Sequence, residues 1–405
     1  MAASVLQLKC ECKNDPWGKK GSESLAGRLW SQIPGSGPLD DSESYSEMWM
    51  GTYPSVPSRL LSTDELLSDH LKRNPDLLGK ASIQRYSTHL PFLPKVLSFA
   101  KALPLQMHPD KKLAEQLHAQ DPIKFGDANH KPEIAVALTR FELFVGFKPT
   151  SDLAEIFALQ PLQSILPKSD KIDAPFLRQA CRALLMLSPE EVSDTISQIM
   201  KLPQSDFGKH AYIPGLLDRL SKQYSETDNG CLVAVLCMNF MTLEPGEAVC
   251  VPADSIHAWL SGDILECMAR SDNVLNTGFC PRAERDNIDL FTQALTFQPQ
   301  STEAAILPAH PSLLGLNKRT VKYAPPFSEF NVLGVSLSGS QTETHAELQS
   351  PSILVVTQGS GKMKVHGENI SYDLKEGSVF FAGQKAKLQF STDKELSLYR
   401  AYATS

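Results

Sequence analysis

Apolar and polar positions alternate with two different periods along this chain. Val96 to Leu105 and Ile134 to Val145 are dense in Val, Ile, Leu and Phe and read as buried strands. Between them, Pro109 to Gln120 has helical spacing. Leu113 and Leu117 share one face, Lys111, Lys112 and Glu115 the other, and Asp110 is placed to cap it. Residues 151–225 change character. Asp152 to Leu159, Pro175 to Leu187, Pro189 to Leu202 and Ile213 to Tyr224 all carry the 3.6-residue period. Ser188-Pro189-Glu190-Glu191 has a capping serine, a first-position proline and two acids in the first turn. This block is expected to be a helical domain of packing residues.

From Gly230 the short period returns, with strands expected at Leu232 to Leu236, Glu247 to Val251 and Ile256 to Leu260. One pattern occurs twice. Leu243-Glu-Pro-Gly and Leu374-Lys-Glu-Gly are each followed by an apolar run, Ala248 to Val251 and Val379 to Ala382. Ahead of the second copy, Ile353 to Gln358, Gly359-Ser360-Gly361 and Lys362 to Val365 read as strand, glycine turn and strand. The fold class is therefore mainly β: two cupin-like (jelly-roll) barrels plus an α-helical insertion. The first barrel is expected from residues 1–150 and 226–310, the helical domain from 151–225, and the second barrel from 311–405. His257 stands five residues after Pro252, whereas the matching place in the second copy is Leu388. The second barrel is expected to carry no metal.

Chemistry concentrates in the first barrel. Gln106 and His108 lie two apart, so an extended chain aims both at one centre. Glu133 follows in the same short span, and His257 in a later strand-rich segment. An amide oxygen, two imidazoles and a carboxylate form an N/O set suited to catalytic Zn²⁺ with an open position.

Composition narrows the rest. The chain has 405 residues, enough for two or three cores. With 39 basic and 46 acidic residues its net charge is −7, which argues against nucleic acid as a partner. No stretch approaches the roughly 20 apolar residues of a membrane span, and Met1 to Lys13 has no signal-peptide core. Eight scattered cysteines without a Cys-x-x-Cys suit reduced thiols in the cytoplasm, with Cys10-x-Cys12 the sole close pair. A monomer is expected.

Several blocks together resemble the type I phosphomannose isomerases. They are Trp17-Gly18-Lys19, Glu47 to Thr52, Leu90 to Ser98, Gln106-Met-His-Pro-Asp-Lys111, Asp127-Ala-Asn-His-Lys-Pro-Glu133, Ile256-His-Ala-Trp-Leu-Ser-Gly-Asp263, Glu266-Cys267 and Ser271-Asp-Asn273. The resemblance spans most of the chain. It implies one zinc held by Gln106, His108, Glu133 and His257. It implies interconversion of mannose 6-phosphate and fructose 6-phosphate, which supplies mannose for GDP-mannose. It places Glu266 and Lys131 in catalysis and Lys95, Arg282 and Asp272 at the phosphorylated sugar. Trp17 and Trp49 are expected in packing, and His130 behind the ligands. Such a reaction moves a proton between C1 and C2 through an enediol. It needs a Lewis acid, a base and a cationic phosphate anchor.

The chain departs from the family pattern at three places. Pro104 stands where a serine is usual, Asn276 where an arginine is usual, and Arg282 where a lysine is usual. Losing one charged donor aimed at a transition state costs on the order of 3 kcal/mol, roughly a hundredfold in rate. Arg270 is an extra cation near Glu266 in sequence. The alternative reading is therefore a divergent relative, a zinc-bearing sugar-phosphate binder or an isomerase of another sugar.

Overall fold

A computed structural model describes residues 3–225, 227–327, 329–368 and 370–404. The apolar runs pair antiparallel into two large curled sheets. In the first, the hydrogen-bonded order is Met238–Leu243, Phe141–Phe147, His257–Ala269, Phe92–Phe99, Glu47–Trp49 and Cys12–Lys13. Glu133–Ala137 pairs with Ala248–Val251 and with the later half of His257–Ala269. Leu105–Met107 bridges the start of that long strand to Leu275–Gly278. The expected strand at Val96 to Leu105 is thus two strands separated by a loop that holds Pro104, which has no N–H to offer a ladder. Ile134 to Val145 is likewise two strands, Glu133–Ala137 and Phe141–Phe147, which break at residues 138–140 and pair with the later and earlier halves of His257–Ala269.

His257–Ala269 is the spine of this barrel, and all of it except Ser261 is buried. Its register slips once. Leu143 faces Trp259 while Glu142 faces Ser261, so two residues oppose one. Gly262 next to the bulge has φ +135°, and a Cβ there would lie 2.8 Å from Arg140 O. Strand alternation has a period of two, so one extra residue exchanges the faces. His257 and Trp259 before the bulge therefore share the barrel interior with Ile264, Glu266 and Met268 after it.

The second sheet runs Ala309–Pro311, Thr320–Tyr323, Phe330–Ser338, Glu395–Ala403, Ser352–Val365, Val379–Ala382, Val5–Lys9 and Arg59–Leu60. Gln341–His345, Leu388–Thr392 and Ile370–Lys375 complete the barrel. The expected glycine turn is corrected here: Ser352–Val365 is one continuous strand. Gly359 and Gly361 instead permit close crossing, since a Cβ on either would come within 2.1–2.2 Å of a neighbouring carbonyl oxygen. The turn follows Val365. Both repeats do turn at a glycine with positive φ, Gly246 at +91° and Gly377 at +79°. Register repeats as well, with Gln106 opposite His257 in one barrel and His345 opposite Leu388 in the other. Beside His345 lies Arg400, fully buried. Its Nε–H donates to Ser352 Oγ at 2.9 Å, its Nη1 is 3.5 Å from His345 Nδ1, and it has no carboxylate within ion-pair distance among the described residues. Burial pulls this guanidinium down to about 9.

Helices occupy Thr150–Phe157, Ala174–Met186, Pro189–Met200 and Ile213–Ser221. Ser188 and Glu191 form a capping box, and Asp110 caps Lys111–Gln120 by accepting from Leu113 N. One expectation fails. Leu232 to Leu236 is not a strand but the centre of a helix, Asn229–Cys237, buried at every residue. It is apolar all round because the other helices surround it, so it has no polar stripe to reveal its period. Asp228 caps it, and Lys148 donates to Val235 O and Met238 O at its other end.

Two features cross the boundaries drawn from the sequence. Val5–Lys9 hydrogen-bonds to Val379–Ala382, so the N-terminal strand joins the second barrel's sheet. The helical layer also takes in Asn229–Cys237 and Ile288–Ala294, both packed on Ala174–Met186. No helix among the described residues is long and apolar enough to cross a membrane. All eight cysteines are free. Cys10 Sγ sits 3.4 Å from Ser58 Oγ and Cys12 Sγ–H donates to Lys13 O, so these two face protein partners, not each other.

Candidate metal centre

His108, Glu133 and His257 meet in the first barrel, each buried. Their ligand atoms all lie within 4.8 Å of one another. His108 Nε2 is 3.3 Å from Glu133 Oε2, and His257 Nε2 is 3.0 Å from Glu133 Oε1. The remote ring nitrogens fix the tautomers. His108 Nδ1–H donates to Asn273 O at 2.9 Å and His257 Nδ1–H to Ser255 O at 3.1 Å. Both Nε2 lone pairs therefore point at a carboxylate. Burial and Lys131 hold His108 down to about 4, so it is neutral at physiological pH. Burial pushes Glu133 up, but the charge that His108 and His257 carry when protonated outweighs it and holds the carboxylate well below its usual range. Glu133 Oε1 and His257 Nε2 have no hydrogen-bond partner. Lone pairs facing lone pairs in a dry site are costly, and a cation between them satisfies all three.

Gln106, the fourth ligand expected from the sequence, is a neighbour of the cluster by register. It is directly opposite His257, and directly paired residues project to the same face. Asn276 is its neighbour on the other side, with Oδ1 buried and unpartnered. The position where an arginine is usual thus lies beside an expected ligand. Two sequence motifs interlock to hold the cluster. Asn273 Nδ2 donates to Asp127 O and Asn129 O, while its own carbonyl anchors His108.

Behind the cluster is a carboxylate and lysine network. Glu266 is directly opposite Lys95, and Lys95 opposite Trp49. Lys95 Nζ lies 3.1 Å from Glu47 Oε2, 3.8 Å from Glu266 Oε2 and 3.9 Å from the Trp49 ring centroid. Trp259 Nε1–H donates to Glu266 Oε1 at 3.0 Å, and Trp49 Nε1–H to Glu47 Oε2 at 2.7 Å. Burial, then the charge of Glu133, raises Glu266 to about 7, with Lys95 and Lys131 opposing. Burial pushes Glu47 up, but Lys95 and Lys13 bring it to about 2. A carboxyl poised near neutrality beside a cation cradle is suited to moving protons.

The other expected residues are placed as follows. Lys131 is buried and 3.6 Å from Asp272, which is itself half exposed. Arg282 donates to Thr227 O and lines a cavity of about 320 Å³ with Tyr224, Cys280 and Arg285, none of them cluster residues. His130 is corrected: its Nε2 is 2.7 Å from Glu329 Oε1, so it ties the barrels together and does not back a ligand. Trp17 packs against the core and Trp49 within it, as expected, and the Trp49 ring also faces Lys95. Sequence reading passed over Glu47 and Trp259. Both alternate with residues it did single out, Trp49 and His257, and that spacing was the available signal.

Residues 5–150 match the family model described as phosphomannose isomerase type I, catalytic domain. Mannose-6-phosphate isomerase of Emericella nidulans is 34% identical over 96% of this chain and 92% of its own length. That of Candida albicans is 33% identical over 98% of each. Mannose 6-phosphate isomerase from Salmonella typhimurium, in a crystal structure of its apo form, aligns over 100% of both chains at 25% identity and TM-score 0.82. A mannose 6-phosphate isomerase structure bound with zinc and yttrium aligns equally fully at 27% identity and TM-score 0.81. With full-length relatives at this level of identity and a buried His-Glu-His cluster in its first barrel, the chain belongs to the type I phosphomannose isomerase family.

Proposed function

We propose that this chain is a zinc-dependent aldose–ketose isomerase that interconverts mannose 6-phosphate and fructose 6-phosphate. The observation that carries the reading is the cradle of unpartnered lone pairs on Glu133 and His257, next to a carboxyl near pKa 7. Gln106, His108, Glu133 and His257 would hold the ion. Only Glu133 among them brings a negative charge, so a divalent ion keeps a net positive charge there. When bound, zinc supplies Lewis acidity to the sugar's C1 and C2 oxygens.

The chain's own residues would do the proton work. Glu266 removes the proton from C2 of the aldose and returns it to C1, while a second proton passes from O2 to O1, so composition is unchanged. Lys95 and the Trp259 N–H orient Glu266 and favour its charged form. Lys131, steadied by Asp272, is the charged donor next to the oxygens. Asn276 brings no charge to its side of Gln106, which favours a rate about a hundredfold below that of an arginine-bearing relative. The product would feed GDP-mannose synthesis, and eight free thiols suit a reducing compartment such as the cytoplasm. A coupled assay tests the reading. Turnover of mannose 6-phosphate should vanish on chelation and return with zinc, and a zinc-loaded chain with no turnover would overturn it.

A further inference from the structure

From the floor of the first barrel a ladder of cations and rings climbs to its rim. Lys95 Nζ is 3.9 Å from the Trp49 ring centroid, Trp49 is 5.9 Å from Tyr53, and the Arg270 guanidinium carbon is 5.3 Å from Tyr53. Leu93 and Met268 pack with these two rings. Arg270 follows Met268 by two residues, so it continues the face that carries Glu266. Its backbone is fixed on both sides: its N–H donates to Pro91 O and its carbonyl accepts from Asn129 Nδ2. Tyr53 O–H donates to Asp127 Oδ2, which also accepts from Asp272 N, so the ladder is tied to the sugar-side motif.

The cations expected at the sugar or in catalysis all have other partners. Lys95 lies between Glu47 and Glu266, Lys131 faces Asp272, and Arg282 donates to Thr227 O. Arg270 has no carboxylate within ion-pair distance among the described residues, and its Nε is buried without a partner. Stacking on Tyr53 occupies one face of the guanidinium and leaves its edge free to donate. A hexose phosphate with C1 and C2 at Glu266 would extend its phosphate along this face toward Arg270, two same-face positions further on. Resting on the isomerase reading above, we propose that Arg270 is the phosphate anchor and sets the preference of this site for phosphorylated over free sugars.

The test compares zinc-loaded wild type, Arg270→Met and Arg270→Lys. For Arg270→Met, KM for mannose 6-phosphate and the inhibition constant for inorganic phosphate should each rise roughly ten- to a hundredfold. Its zinc content and melting temperature should stay near wild type, and the loss should fall on KM more than on kcat. Arg270→Lys, which keeps the charge without the fork, should recover part of the loss. Unchanged KM and phosphate inhibition in Arg270→Met would overturn the proposal, as would a loss confined to kcat. Calorimetric titration of wild type and Arg270→Met with inorganic phosphate reads the anchor independently of turnover. A wild type that binds phosphate through Arg270 but isomerises nothing would sink the isomerase reading alone.

Discussion

Replacing Lys95 by Met should destabilise the fold and shift the acid limb of the activity profile together. The ammonium is 3.1 Å from Glu47 and 3.8 Å from Glu266, and all three side chains are buried. Dividing 332 by each distance and an effective dielectric of about 20 gives roughly 5 and 4 kcal/mol of attraction. Burying the lysine offsets much of this, but removing it takes the nearest cation from both carboxylates and leaves Glu47 with Lys13 at 3.7 Å, and such losses run about 3–5 kcal/mol. The same substitution disfavours ionised Glu266, whose ordinary position here is about 7. Its pKa should rise by roughly one to three units. If Glu266 must be ionised to accept the C2 proton, kcat/KM falls on the acid side, and that limb should move up in pH by the same amount. Urea unfolding near neutral pH and a pH profile of kcat/KM on zinc-loaded protein provide both readings. The double variant Glu47→Gln with Lys95→Met should regain part of the stability, because one stranded charge is gone. A Lys95→Met protein within about 1 kcal/mol of wild type, with its acid limb unmoved, would refute the electrostatic account.

Other outcomes follow from the same geometry. Glu266→Gln should keep zinc, measured by metal analysis, yet lose at least about a hundredfold in kcat; near-normal turnover would remove Glu266 as the base. Glu47 is near 2 in the fold against 4.5 ordinarily, so it contributes stability above about pH 4.5 that is lost as pH falls toward 2. That amounts to roughly 3 kcal/mol, and Glu47→Gln should flatten this stretch of an acid-unfolding series. Gly278→Ala places a Cβ 2.4 Å from Gly230 Cα, where backbone meets backbone. It should cost up to about 3 kcal/mol in unfolding experiments, and an unperturbed melting temperature would contradict that close approach.

Much of the metal set was legible because local alternation and short spacing carry it: Gln106 and His108 are two apart and Glu133 is near in sequence. The site's rear wall was less legible. Glu266 shares a face with His257 only because the bulge beside Gly262 exchanges parity, which no strict period-two reading anticipates. The helix Asn229–Cys237 was misread because full burial removes the polar stripe that distinguishes a helix from a strand. Val5–Lys9 pairs with residues more than 370 positions away, a contact that local pattern cannot contain. Arg282 was assigned from the family motif, but its partner, Thr227, comes from the helical layer.

The buried guanidinium of the second barrel makes the two halves of the repeat unlike in a specific way. Where one barrel needs a dissociable positive charge, the other has it covalently attached, as Arg400 beside His345. Like charges repel strongly in a dry interior, so a divalent ion entering that half would meet a fixed positive charge. Transplanting a histidine to Leu388 should therefore add no zinc, a result that metal analysis of that variant would read.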